Sequence, residues 1–174
     1  MTNFNSNNCS VAIIGLGYVG LPLTIAISKT KICFKTKNDL NRKIIGFDKN
    51  LKRINDLKNG IDNTNEVNNQ DLLENKDIEY TSDKNKLANV DLFLVALPTP
   101  IDKFKNPDLS YLKNGCEIIG NAIKKRTSKT KPIIIFESTV YPGCTEEFCI
   151  PIIENTSGFK HNLKKKQKNI LFWL

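Results

Sequence analysis

The chain has 174 residues, 40% hydrophobic and 25% charged, a composition that suits one domain with a sizeable core. No apolar run approaches the roughly 18 residues a membrane-spanning helix needs, and the polar start MTNFNSNNCS lacks the basic head and apolar middle of a secretion signal, which points to the cytoplasm. The net charge of +8 is not a nucleic-acid footprint, because Lys160–Leu174 holds five lysines and no acids while the rest carries 21 basic and 18 acidic residues with no basic, aromatic-studded face.

Residues 1–9 are expected to be disordered. Residues 11–15 (VAIIG) form a short apolar run and predict a buried strand. Residues 19–33 predict a helix with Leu23, Ile27 and Ala26 on its apolar face, and Pro22 falls early, where a missing N–H is best tolerated. The polar segment 30–41 reads as a surface insertion. Residues 43–47 (KIIGF) predict a second strand ending at Asp48, and 49–58 a charged helix stopped by Asn59-Gly60. An Asn-rich stretch follows, with a short helix over 66–74 and a minor strand over 78–81. Residues 91–97 (DLFLVAL) predict another buried strand, halted by Pro98-Thr99-Pro100. A long helix over 108–126 carries Leu109, Leu112, Ile119 and Ile123 at helical spacing. Residues 132–136 (PIIIF) predict a strand, and 144–155 a helix with Thr145 near its cap, broken by Pro151.

Near-continuous apolar strands alternating with helices predict a doubly wound α/β domain, a parallel sheet covered on both faces with right-handed crossovers. The five cysteines (Cys9, Cys33, Cys116, Cys144, Cys149) form no CxxC pair and share the chain with a single histidine. They give no zinc pattern and read as reduced thiols.

Gly15, Gly17 and Gly20 spell GxGxxG between the first strand and its helix. In that place the first glycine permits a tight turn, the second lets the backbone approach a pyrophosphate, and the third lets helix and strand pack closely. The helix N-terminus offers N–H groups and a positive dipole end to the phosphates. Asp48, at the end of the second strand, can accept hydrogen bonds from an adenosine ribose and repel a 2′-phosphate, which favours NAD over NADP. It stands 28 residues beyond Gly20, and the 30–41 insertion accounts for the long spacing. Arg53 either covers the adenosine end or lies idle on a helix surface. Thr99, between two prolines at a strand end, either meets the cofactor or sits in a rigid turn. Ser138 and Thr139, in ESTVYPG, can hydrogen-bond substrate, water or cofactor. Cys144 has no base near it in sequence and makes a poor nucleophile.

Four stretches, GLGYVGLPL, GFD, VALPTPID followed by PDLSYL, and ESTVYPGCTEEFCIPIIE, resemble the UDP-glucose/GDP-mannose dehydrogenase family. Within it they are most similar to the UDP-N-acetylhexosamine 6-dehydrogenases of bacterial surface-polysaccharide synthesis. The resemblance runs from about Val11 to Gly158 and implies an NAD-binding Rossmann-type domain over 10–158. Members oxidise a sugar CH2OH to carboxylate in two NAD-dependent steps through a covalent thiol intermediate. The resemblance implies a UDP-sugar substrate and a homo-oligomeric full-length enzyme. By it, Gly15, Gly17, Tyr18 and Val19 cradle the pyrophosphate, Asp48 and Arg53 hold the adenosine ribose, and Thr99 meets the cofactor. Thr139 matches the threonine that sits by the cofactor and helps hold a catalytic water.

The family's catalytic cysteine, lysine and glutamate lie in segments farther along, and none of the five cysteines here stands in that context. The resemblance therefore implies a fragment that is inactive alone. After Gly158 the pattern gives way to FKHNLKKKQKNILFWL. Residues 159–174 are expected to be an aberrant basic tail from a frameshift or truncation, since 22 Asn, 23 Lys and 21 Ile against three Arg and five Ala suggest A/T-rich codons. A genuine basic C-terminal helix is the alternative. The rival functions are a UDP-glucose 6-dehydrogenase fragment, a stand-alone non-catalytic NAD-binding module and an unrelated hydroxyacid-type NAD dehydrogenase.

Overall fold

In the computed structural model the described residues are 5–101, 103, 106–160 and the backbone of 171–173. The elements run β1 (Ser10–Ile14), α1 (Gly20–Lys29), β2 (Lys43–Phe47), α2 (Leu51–Lys58), α3 (Asn69–Glu74), β3 (Glu79–Thr81), β4 (Leu92–Val95), α4 (Ser110–Lys124), β5 (Ile133–Phe136), α5 (Ile150–Ser157) and β6 (Leu171–Trp173). All strand pairs are parallel, in the order β3-β2-β1-β4-β5-β6. The chain therefore winds outward from β1 in one direction, returns, and winds outward in the other, as the doubly wound reading predicts.

Strand β1 shows why both faces must be covered. Successive side chains on a strand point to opposite faces. Ala12 and Ile14 join a core cluster with Phe47, Val95, Leu112, Ile119 and Ile153, under α4 and α5. Val11 and Ile13 join the opposite cluster with Leu21, Ile25, Ile54 and Leu72, under α1, α2 and α3. An apolar residue at every position is thus what a central parallel strand requires.

Several boundaries and faces differ from the expectations. Helix α1 ends at Lys29, not at Cys33, because Thr30 closes it, donating its amide and its hydroxyl to the Ala26 carbonyl. Its buried side is Leu21, Thr24, Ile25 and Ser28, whereas Leu23 and Ile27 are half-buried and Ala26 is exposed. Thr24 is tolerated inside because its hydroxyl donates to the Gly20 carbonyl at 2.6 Å. Pro151 does not break a helix. It sits in the first turn of α5, where no N–H is missed, after a single π-type turn at Thr145–Cys149. Thr145 is buried and makes no cap.

Within the stretch expected to be disordered, Cys9 is buried, Ser6 accepts from Arg42 and Asn7 accepts from the Asn41 amide. Most of the tail expected to be aberrant, residues 161–170 and 174, lies outside the described residues. Leu171–Trp173 nevertheless run parallel to Ile133–Ile135 as the edge strand.

Candidate functional site

The site follows from the winding. Strand β1 sends its chain to β2 on one side, while the later return to β4 falls on the other, so the loops after β1 and β4 part and leave a crevice at their carboxyl ends. Two adjoining cavities of about 280 and 320 Å³ fill that crevice and share Gly17, Ala96, Leu97 and Pro98. The first is walled by Gly15, Asp48, Lys49 and Tyr111, and the second by Tyr18, Val19, Thr99, Glu137 and Thr139.

Each glycine of the loop has a distinct physical reason. Gly15 adopts φ +93°, and a Cβ there would also lie 2.8 Å from the Ala96 carbonyl oxygen. Gly20 opens α1 against the loop itself, where a Cβ would fall 1.8 Å from the Gly15 oxygen. At Gly17 a Cβ meets no atom within 4 Å, and the residue lines both cavities. The space in front of Gly17 is the cradle a pyrophosphate needs, and α1 presents its N-terminus there with no side-chain cap. The residues present therefore fit a dinucleotide.

Asp48 is half-buried at the end of β2, on the wall of the first cavity. Its Oδ2 accepts from the Leu16 amide at 3.0 Å and its Oδ1 from the Asn50 amide at 2.9 Å. With two lone pairs per oxygen, the oriented carboxylate can still accept from a ribose diol. Thr99 is drawn to the end of β5, its hydroxyl donating to the Thr139 carbonyl at 2.5 Å. Ser138 grips Leu97 twice, donating to its carbonyl at 2.7 Å and accepting from its amide at 3.1 Å. These bonds hold the β4 and β5 loops together as one wall. Thr139 is exposed on that wall, as are Tyr18 and Val19 opposite it.

Arg53 is not brought to the lining of either cavity. Its Nη1 pairs with Asp62 Oδ1 at 2.7 Å, its Nε donates to the Leu16 carbonyl at 2.9 Å, and its Nη2 donates to Thr64 Oγ1 at 3.2 Å. The two charged side chains are 10% and 1% exposed. Burial alone would raise the Asp62 carboxyl. The bonds from the Thr64 hydroxyl, the Thr64 and Val67 amides and Arg53 outweigh it and hold the group far below the usual carboxylate range. Its stabilising contribution is complete above about pH 3.9, the pKa of an unfolded aspartate, and is withdrawn as pH falls from there toward the native value. Thermal unfolding followed from pH 7 to pH 3 should show a steeper loss below pH 4 in the wild type than in Asp62→Asn. Parallel curves would remove Asp62 from the acid response.

Sequence reasoning missed Asp62, and it missed Lys49 and Tyr111, which face each other across the first cavity with the ammonium 5.4 Å from the ring centroid. The D-x-T spacing of Asp62 and Thr64 signals only a local turn. Cys144 is buried in the core, and burial pushes its thiol up, so it is not placed for attack on a ligand in the crevice.

A parallel sheet in this order, with three glycines and an acid at its switch point, defines an NAD-binding Rossmann domain. The chain belongs to the UDP-glucose/GDP-mannose dehydrogenase family, whose NAD binding domain matches residues 9–170. It is 44% identical over 151 residues to protein CapL of Staphylococcus aureus, covering 87% of this chain and 32% of that protein. It is 43% identical to the UDP-N-acetyl-D-glucosamine 6-dehydrogenase of Pseudomonas aeruginosa, with the same coverage, and 39% identical to that of Salmonella typhi, covering 91% and 34%. Among solved structures, a ternary complex of GDP-mannose dehydrogenase from Pseudomonas aeruginosa superposes with a TM-score of 0.75 at 27% identity, covering 86% of this chain and 33% of that one. The chain thus spans about a third of the length of the relatives it matches.

Proposed function

We propose that the chain supplies the NAD-binding part of a UDP-N-acetylhexosamine 6-dehydrogenase that makes the uronic acid for a surface polysaccharide. The observation that carries this reading is the graded similarity. Identity is 39–43% to UDP-N-acetyl-D-glucosamine 6-dehydrogenases, against 24–29% for the matched GDP-mannose, UDP-N-acetyl-D-mannosamine and N-acetyl-D-galactosaminuronic acid dehydrogenases.

In this reading Asp48 would hold the adenosine ribose of NAD from the wall of the first cavity, and Gly17, Tyr18 and Val19 would cradle its pyrophosphate. Thr99 and Thr139, on the wall of the second cavity, would hold its nicotinamide end. When bound, NAD would supply the hydride-accepting chemistry that oxidises the sugar carbinol. Asp48 takes the ribose hydroxyls, and Thr139 orients a water at the reacting end. The UDP-sugar is held by parts of the enzyme beyond this domain, in a cytoplasmic homo-oligomer.

Titration calorimetry with NAD and NADP tests the cofactor assignment. NAD should bind more tightly, and Asp48→Ala should narrow the preference, since a charge-assisted hydrogen bond contributes about 1.5–3 kcal/mol. Equal or tighter NADP binding by the wild type would remove Asp48 from the ribose. The 174-residue chain with NAD and UDP-N-acetylglucosamine, UDP-N-acetylgalactosamine or UDP-glucose should produce no sustained NADH absorbance. A positioned acid or base alone contributes roughly 10²–10⁴-fold, and among the described residues no cysteine lines the crevice. Steady turnover of any of the three would overturn the assignment of catalysis to other parts of the enzyme.

A further inference from the structure

In a sheet whose strand pairs are all parallel, the segments that feed the strands come to one edge, opposite the carboxyl ends where the crevice lies. Those entering β2, β3, β4 and β5 are residues 30–42, 75–78, 88–91 and 125–132. Together they carry nine Lys and Arg against three Asp. The fold thus collects at its amino edge a basic charge that the sequence mixes with acids along its length. The 30–42 insertion contributes Lys31, Lys35, Lys37 and Arg42 to it, against Asp39 alone.

This insertion is a formed hairpin. Ile32 and Asp39 make an antiparallel bridge, and the Leu40 amide donates to the Lys31 carbonyl at 2.7 Å. Nearer the tip, the Cys33 amide donates to the Asn38 carbonyl and the Lys37 amide to the Cys33 carbonyl, both at 2.8 Å. Buried Leu40 and the bond from the Asn41 amide to the Asn7 carbonyl anchor its base. At the tip it holds out Phe34, which is 90% exposed and belongs to neither core cluster. The Lys37 ammonium lies 4.7 Å from the ring centroid, and Lys35 and Ile32 are exposed beside it. Internal packing therefore gives no reason for an aromatic ring at this place.

We propose that the hairpin tip docks on an anionic bilayer surface. Phe34 enters the boundary between headgroups and acyl chains, and Lys35 and Lys37 meet the lipid phosphates around it. The ring leaves water while the ammonium groups, on long apolar stems, stay at the level of the headgroups. The other basic residues of the amino edge add an attraction that fades within a Debye length. A single ring at an apex suits a surface it can penetrate, whereas a nucleic-acid strand calls for a row of stacking aromatics along a basic groove. Docked this way, the domain keeps its crevice on the side away from the bilayer. The inference does not depend on what the crevice binds.

Cosedimentation of the 174-residue chain with lipid vesicles tests the proposal, with thermal unfolding as the control for folding. Vesicles of phosphatidylcholine with about 30% phosphatidylglycerol should pellet the chain at about 0.1 M salt and release it at about 0.5 M, where charges are screened at shorter range. Vesicles of phosphatidylcholine alone should leave it in solution. Lys35→Ala combined with Lys37→Ala should weaken partitioning about twentyfold, at about fivefold for each lysine. Phe34→Ser should weaken it about tenfold, and Phe34→Leu should keep it, because what counts is apolar area taken out of water. All three variants change exposed tip residues and should melt as the wild type does.

A wild-type chain that ignores the anionic vesicles, or pellets equally with both kinds, would overturn the docking site. So would Phe34→Ser and lysine variants that partition like the wild type, a result that moves the contact to another basic stretch such as residues 160–174. Tighter binding to duplex DNA than to the vesicles, or a dimer that Phe34→Ser dissociates, would replace the bilayer by nucleic acid or by a second copy of the chain.

Discussion

Replacing Gly17 with valine is expected to abolish NAD binding and leave the domain folded. The backbone at Gly17 does not require a glycine, since its φ is not positive, and a Cβ there meets no protein atom within 4 Å. The branched side chain projects instead into the crevice that Gly17 lines with Ala96, Leu97 and Pro98. A surface substitution without new clashes changes stability by about 0.5 kcal/mol or less. For a chain of this size that is a melting shift of about 2 °C or less. Affinity should fall more than about a hundredfold, which corresponds to about 2.7 kcal/mol. Calorimetry and thermal unfolding on the same preparation check both halves. Undiminished affinity would reduce the loop to a structural corner.

Gly20→Ala is expected to do the reverse, failing through the fold. The added carbon would lie 1.8 Å from the Gly15 oxygen and 2.9 Å from the Gly15 carbonyl carbon. Both are backbone atoms, so no side-chain rotation relieves the clash. Either α1 must tilt away from the sheet or the end of β1 must shift, and both are anchored. The Gly15 amide donates to the Phe47 carbonyl, and Leu21 beside it is fully buried. Overpacking typically costs about 1–3 kcal/mol, more where the backbone must move. At about 2–4 °C per kcal/mol the melting temperature should drop by about 10 °C. NAD binding should vanish with it, because the amides at the start of α1 move too. A Gly20→Ala protein with wild-type melting and affinity would mean that the close approach is not needed in solution. Gly17→Val and Gly20→Ala together separate the two uses of one motif, since only the second should disturb folding.

The motif was legible because its demands are local. Three glycines, an apolar run before them and an acid at the end of the next apolar run are fixed by the chain within one βα unit. The apolar strands were legible for the same kind of reason. A strand buried on both faces needs no periodicity to announce itself, and Val11–Ile14 and Leu92–Val95 are apolar at every position.

The α1 face was misread for a physical reason. Its buried stripe includes Thr24 and Ser28, and a hydroxyl that can bond the carbonyl four residues back hides well inside a helix. A pattern of apolar residues cannot reveal that. Pro151 likewise marks a helix start or a helix break according to whether the preceding turn is helical, which depends on how Cys144 and Cys149 pack beneath α4.

Arg53 shows the same division within the site. Its place on α2, five residues after Asp48, follows from the sequence. Its direction does not, because the guanidinium turns inward only once the 62–67 turn places Asp62 behind the glycine loop. The clamp between Thr99, Ser138, Thr139 and Leu97 joins residues about 40 apart, brought together when β5 pairs with β4. The sequence by itself determined which residues stand at the strand ends around the crevice, because strand length and the loops that close each strand are local properties. Only the tertiary structure decided which polar side chains hold those ends still, because a hydrogen-bond partner is chosen by position in space after the strands have paired.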